Sequence, residues 1–319
     1  MVSKVVVILL VVGLAQIFLP ASEGARILFF FAGGSFSHKI SIWPFATALA
    51  DRGHHVTFLS SYEKKPWEHS GIEHLAPKTV VDLMANTFGV DRLADRRNSK
   101  EGLHFKHLFD VTYRTCVKVL NSPDDTALNQ VIYNGTYDLV INNCGMSDCG
   151  LIIAHQLKSK YIIFDSSLIM PWYYDLYGAP TETSWIPEQM EKFSFPMGLY
   201  ERVKNYFWPL YFYHFRQSNL YPRMEKLMMD AFNLDSAPSM LEIERNSSLV
   251  FINVSLLTDY FFTFLSYTMS SYFIDFKILS LLHTFFLLRT SLHINFPSPC
   301  AYICIYEKSC EMDCCELKE

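Results

Sequence analysis

A histidine follows closely on a double glycine near the start of this chain, in the run Gly33-Gly34-Ser-Phe-Ser-His38. The run comes straight after Arg-Ile-Leu-Phe-Phe-Phe, residues 26 to 31, which reads as a buried strand. His38 is therefore expected on a loop just before a helix. The positive end of a helix disfavours the imidazolium and holds the ring neutral. A neutral imidazole accepts a proton from a hydroxyl near pH 7. A base of this kind usually has a carboxylate behind it, which fixes one tautomer and stabilises the cation. A second loop, Asn142 to Asp148, offers Asp148. Position alone leaves alternatives open: His38 as an incidental loop residue, and Ser147-Asp148 as the N-cap of the helix that follows.

Other chemistries lack their residues. The fingerprint G-x-G-x-x-G is absent, and the second strand ends Leu59-Ser60-Ser61 with no carboxylate for a ribose. No Gly-Lys-Ser/Thr follows the glycines, and no Gly-x-Ser-x-Gly is present. The eight cysteines form no C-x-x-C pair, and five of them crowd the last 20 residues, so no metal site is expected. Net charge is −5 with no lysine–arginine cluster, which sets nucleic acid aside. The densest charge run, Asp91 to His107, mixes both signs and reads as solvated surface.

The elements that would position these residues alternate. After the first strand, Pro44 to Asp51 reads as a helix with Phe45, Ala48 and Leu49 inward, closed by Gly53, and His55 to Leu59 as a strand. Tyr137 to Ile141, Leu151 to Leu157 and Tyr161 to Phe164 repeat the strand–helix–strand pattern. Such alternation predicts an α/β fold, a Rossmann-like doubly wound parallel sheet. Ligands bind such sheets at the carboxyl ends of the strands, which puts Gly33 to His38 and Asn142 to Asp148 on the functional edge. Residues 170 to 220 are aromatic and punctuated by proline: Pro171-Trp-Tyr-Tyr174, Trp185-Ile-Pro187, Tyr206 to Tyr213. They suit either core packing or the wall of an apolar small-molecule site.

The two ends differ from the middle. Lys4, the uncharged stretch Val5 to Pro20 and small residues at Ala21, Ser22, Gly24 and Ala25 read as a secretory signal peptide over 1–24. A retained anchor is the alternative. Sequons at Asn134, Asn246 and Asn253 agree with a secretory compartment. From Val254 to Glu319 no glycine occurs in 66 residues, and the apolar runs are broken by charges. An irregular or poorly ordered tail is expected over 254–319.

Ala25-Arg-Ile-Leu-Phe, Ser37-His-Lys-Ile-Ser41 and Pro44 to Thr57 together resemble the mature start of insect-type UDP-glycosyltransferases. Tyr137 to Ile141 with Asp148-Cys149, Met170 to Asp175, Ser184 to Pro187 and Glu242 to Asn253 continue the resemblance in order. It implies that 25–253 is the N-terminal, acceptor-binding domain of a GT-B fold. It also implies a second domain that binds UDP-glucose or UDP-glucuronate as co-substrate, with no tightly bound cofactor. The family histidine matching His38 deprotonates the acceptor, and inverting transfer of the hexose follows. The supporting aspartate falls on Asp148 in insect-like alignments. In vertebrate-like alignments it falls on Asn143, which cannot carry the charge. Phe36, Ser37, Trp172 and Tyr173 are the expected acceptor contacts, and the acceptor a small lipophilic hydroxyl compound. The implied setting is the endoplasmic reticulum, lumen or membrane, with pairing to full-length relatives as a further expectation. No donor signature follows Asn253, so this chain is expected to be inactive alone. The alternative function is a non-catalytic lipophile-binding or regulatory partner. Val254-Ser255 is what an in-frame splice donor encodes, so the tail reads as a retained intron or as a divergent exon.

Overall fold

The computed structural model describes residues 24–88, 105–122, 124–166, 170, 172–173, 183–188, 191, 193–194, 196–255 and 301–307. The signal-like leader apart from Gly24 and nearly all of the mixed charge run at 91–107 lie outside them. So does the tail apart from its first two residues and 301–307.

In chain order the elements are β1 (Arg26–Phe31), α1 (Phe36–Asp51), β2 (His55–Ser60), β3 (Glu73–Leu75) and α2 (Lys78–Phe88). Next come α3 (Phe105–Leu120), α4 (Thr126–Ile132), β4 (Leu139–Asn143), α5 (Cys149–Gln156) and β5 (Lys160–Asp165). Then follow α6 (Leu199–Phe215), a π-helical turn (Arg216–Leu220), α7 (Tyr221–Phe232), α8 (Met240–Arg245), β6 (Leu249–Ser255) and β7 (Ala301–Glu307). The sheet order is β3-β2-β1-β4-β5-β6-β7. The first six strands are parallel, and β7 adds to the β6 edge antiparallel. This is the expected doubly wound sheet.

Both faces of the sheet are covered, which is why the central strand β1 is apolar at every position from Ile27 to Phe31 rather than at alternate ones. Ile27, Phe29, Phe31, Phe58, Ile141 and Phe164 face one core with Ile42, Trp43, Ala46 and Leu49 of α1. Leu28, Phe30, Val140 and Ile163 face the other, with residues of α3, α5, α7 and α8.

The helix that carries the site differs from expectation. It begins at Phe36, not Pro44, and Pro44 lies inside it. Its inward stripe is Lys39, Ile42, Trp43, Ala46 and Leu49, while Phe45 and Ala48 are only partly buried. Burial of Ile42 and Trp43 draws the chain into helix two turns ahead of the proline, whose ring would otherwise suit a first turn. Among the described residues no helix is long and apolar enough to cross a membrane.

Candidate active site

The β1–α1 loop and the β4–α5 loop sit side by side because β1 and β4 are neighbouring parallel strands. Gly33 joins them. Its N–H donates to Ser147 Oγ at 2.7 Å, and its carbonyl accepts from Asn143 Nδ2 at 2.9 Å. A Cβ on Gly33 would fall 2.0 Å from the Met146 carbonyl oxygen, so only glycine allows this approach. Gly34 has φ +105°, and a Cβ there would lie 2.9 Å from Asn143 Nδ2 and 3.0 Å from His38 Nδ1. The two glycines let the loops close over one another.

His38 lies in the first turn of α1 rather than on the loop before it. Its Nδ1 is 3.2 Å from Asn143 Oδ1. Because Asn143 Nδ2 is occupied by Gly33, the amide oxygen is the atom turned to the ring, and it accepts from Nδ1–H. The proton is therefore on Nδ1 and the lone pair on Nε2. Burial lowers the His38 pKa below the ordinary histidine value, and the bond to Asn143 partly opposes this. The ring is neutral near pH 7, the state a general base requires.

The carboxylate of Asp148 goes elsewhere. Asp148 stands at the N-cap of α5 but makes no side-chain cap bond. Its Oδ2 is 2.9 Å from Arg216 Nη2, inside the core. Arg216 also pairs with Glu244, whose Oε2 accepts from Tyr221 Oη at 2.5 Å. Burial disfavours the Arg216 cation, and the two carboxylates more than offset that. The described partner of His38 is thus Asn143, and Asp148 belongs to a buried ion cluster. Neither Arg216 nor Glu244 was legible in the sequence, since each is an ordinary charged residue on a surface-like helix pattern.

The four expected acceptor contacts divide. Phe36 is half-buried at the mouth of the first loop, edge-on to Tyr62 with ring centroids 5.3 Å apart. Ser37 is exposed, with Oγ 2.7 Å from Ser35 Oγ. Tyr62, absent from the sequence-based expectations, donates to the Gly34 carbonyl at 3.2 Å and joins this group. Trp172 and Tyr173 instead lie in the core, 2% and 0% exposed. The Arg216 guanidinium stacks 4.9 Å above Trp172. An aromatic run next to proline gives no sign of which way its rings turn, and here the buried cation draws them inward.

Asn134 and Asn246 are exposed, and Asn253 lies within β6. Cys116, Cys144 and Cys149 are buried free thiols, with Cys149 N–H directed at Cys116 Sγ, 3.0 Å away.

The family model for UDP-glucoronosyl and UDP-glucosyl transferase matches residues 28–260. UDP-glucosyltransferase 2 of Dactylopius coccus is 28% identical over 257 residues, 79% of this chain and 48% of that protein. The 2-hydroxyacylsphingosine 1-beta-galactosyltransferase of Homo sapiens is 28% identical over 216 residues, 67% of this chain and 38% of that protein. UDP-glucuronosyltransferase 1A3 of Rattus norvegicus is 24% identical over 259 residues, 72% and 44% of the two chains. The chain spans about half or less of the length of these curated relatives. The match takes in both loops of the site and the sheet edge between them, and the chain belongs to the UDP-glucoronosyl and UDP-glucosyl transferase family.

Proposed function

We propose that residues 25–253 form the acceptor-binding half of an inverting UDP-hexose transferase, with His38 as its general base. The observation that carries this reading is the orientation of Asn143. Its amide is held by the Gly33 carbonyl, so it fixes His38 as the Nδ1–H tautomer. Nε2 takes the proton of the acceptor hydroxyl. The freed oxygen attacks the anomeric carbon, the bond from that carbon to UDP breaks, and the configuration inverts. UDP-glucose or UDP-glucuronate is the donor, held by a second domain of the kind the family resemblance implies. Phe36, Ser37 and Tyr62 are the proposed acceptor contacts, and the acceptor is a small lipophilic hydroxyl compound. One relative is named for an acylsphingosine, an amphiphile of that kind. The setting is the secretory pathway, in the endoplasmic reticulum.

The neutral amide behind His38 favours a second reading, a module that holds lipophiles without turning them over. An amide orients the ring but does not stabilise the imidazolium as a carboxylate does. One experiment separates the two. Transfer from radiolabelled UDP-glucose and UDP-glucuronate to phenolic and steroidal alcohols is measured for this chain alone and for a fusion to the C-terminal half of Dactylopius coccus UDP-glucosyltransferase 2. The expected result is no turnover alone and turnover in the fusion, with His38→Ala abolishing transfer and sparing acceptor binding. Turnover that survives His38→Ala overturns the base assignment. Acceptor binding by a folded fusion that never transfers sugar supports the second reading.

A further inference from the structure

Lys39, the residue after His38, is 1% exposed. An ammonium there is unfavourable on two counts. It is stripped of water, and it sits at the positive end of a helix. Its Nζ is 2.5 Å from Glu68 Oε1 and 2.9 Å from His74 Nε2, and it lies 5.3 Å from the centre of the Trp43 ring. Since Lys39 donates to Nε2, His74 is neutral with its proton on Nδ1. The cluster joins α1 to the segment between β2 and β3 and to β3 itself.

The first turn of α1 is weak by local criteria. Ser35 stands at the N-cap without a side-chain cap bond, and no acidic residue lies in the first turn. Pro44 lacks the N–H that would bond the Ile40 carbonyl, so the turns before it are poorly tied to the turns after. Ser41 Oγ bonds the His38 carbonyl at 2.8 Å, which holds the turn together but does not aim it. Aim must come from tertiary contacts. Successive helical residues diverge by about 100°. His38 reaches Asn143 on the β4 side, and Lys39 reaches Glu68 and His74 on the β2–β3 side. Two anchors in different directions fix the rotation of the turn, where one would leave it free to roll.

We infer that Lys39 and Glu68 are positioning residues, which hold the His38 ring against Asn143. This rests on His38 being the base of the proposed reaction, but its test does not require turnover. The imidazole resonances of the purified chain are followed by NMR against pH, with His38 assigned by its loss in His38→Gln. Lys39→Met/Glu68→Leu replaces the ion pair with apolar side chains of similar size, which often leaves stability unharmed. Glu68→Asp, read beside it, keeps the charge and withdraws it by one methylene. Lys39→Arg serves as the conservative rescue. The expected result is a folded double variant and a folded Glu68→Asp in which the His38 midpoint rises toward the ordinary histidine value. The ring then gains water, whose absence is the larger cause of its lowered pKa. Lys39→Arg keeps the parental midpoint. A folded double variant with the parental His38 titration overturns the inference. If the double variant does not fold, an unmoved midpoint in Glu68→Asp overturns it equally. Either result leaves the base assignment untouched, because that assignment is judged by transfer in the fusion.

Discussion

His38 Nδ1 lies 3.2 Å from the amide oxygen of Asn143. An imidazole is thus paired with an amide, the alternative to the carboxylate of Asp148. The amide supplies orientation without charge. The bond from its Nδ2 to the Gly33 carbonyl prevents the flip that would present a donor to the ring.

Asn143→Asp therefore raises the His38 pKa, because a carboxylate beside the ring favours the imidazolium where the amide does not. The substitution also removes the donor to the Gly33 carbonyl, at a cost of about 1–3 kcal/mol for a buried acceptor left unpaired. NMR titration of His38 and a denaturant melt read the two effects separately. An unchanged midpoint in the folded variant means that the ring and residue 143 are not in contact in solution.

Gly34→Ala tests the closeness of the two loops. The backbone at φ +105° is strained for any residue with a Cβ, and the added methyl meets both His38 and Asn143. A loss of about 1–3 kcal/mol is expected, together with a shifted His38 titration. Equal destabilisation with an unmoved titration would confine the effect to the backbone.

How legible was all this in the sequence? The parallel sheet was, because strands buried on both faces leave uninterrupted apolar runs such as Ile27 to Phe31. The placing of both loops at the carboxyl edge was too, but that β1 and β4 are neighbours, which sets the loops side by side, came only with the strand order. The start of α1 was not. Pro44 is a strong local signal, and the burial of Ile42 and Trp43 that overrides it is a tertiary event. The partner of His38 was narrowed to Asp148 or Asn143, and which of these neighbouring side chains reaches the ring is a tertiary outcome. Asp148 is claimed by Arg216, which is 68 residues away and carries no local mark of burial.

The ion cluster gives a further prediction. Arg216→Met leaves Asp148 and Glu244 as buried carboxylates without their cation, and should cost about 3–5 kcal/mol. Neutralising the acids as well, in Arg216→Met/Asp148→Asn/Glu244→Gln, should recover more than half of that loss. Urea melts of the three proteins decide it. A triple variant no more stable than the single one would mean that Arg216 acts through its stacking on Trp172 and not through its charge.

The aromatic residues separate by the same kind of measurement. Trp172→Ala empties a core position and should cost about 3–5 kcal/mol. Phe36→Ala removes a half-buried ring at the site mouth and should cost about 1 kcal/mol, while weakening the binding of a phenolic probe. Fluorescence titration with that probe, beside the melts, tells a wall of the site from a wall of the core. Unaltered probe affinity in folded Phe36→Ala would remove Phe36 from the proposed acceptor contacts.

Acid should unfold this protein partly through His74. Burial, with the nearby charges of Lys39 and Lys64, lowers its pKa to about 4 from an ordinary 6.5. The unfolded chain thus binds a proton near pH 6.5 that the folded chain refuses until about pH 4. Stability from this group is complete above the upper value and falls as pH drops between the two, by up to about 3 kcal/mol. His38 and His54 are also depressed by burial and add in the same direction. Glu68 and Lys39 face His74 in the same cluster. His74→Asn removes the His74 titration and leaves those of His38 and His54. The difference in unfolding free energy between parent and variant, measured from pH 7.5 down to pH 4, should therefore slope within this window and flatten above it. A difference that stays level across the window would show that His74 ionises as freely in the folded protein as in the unfolded chain.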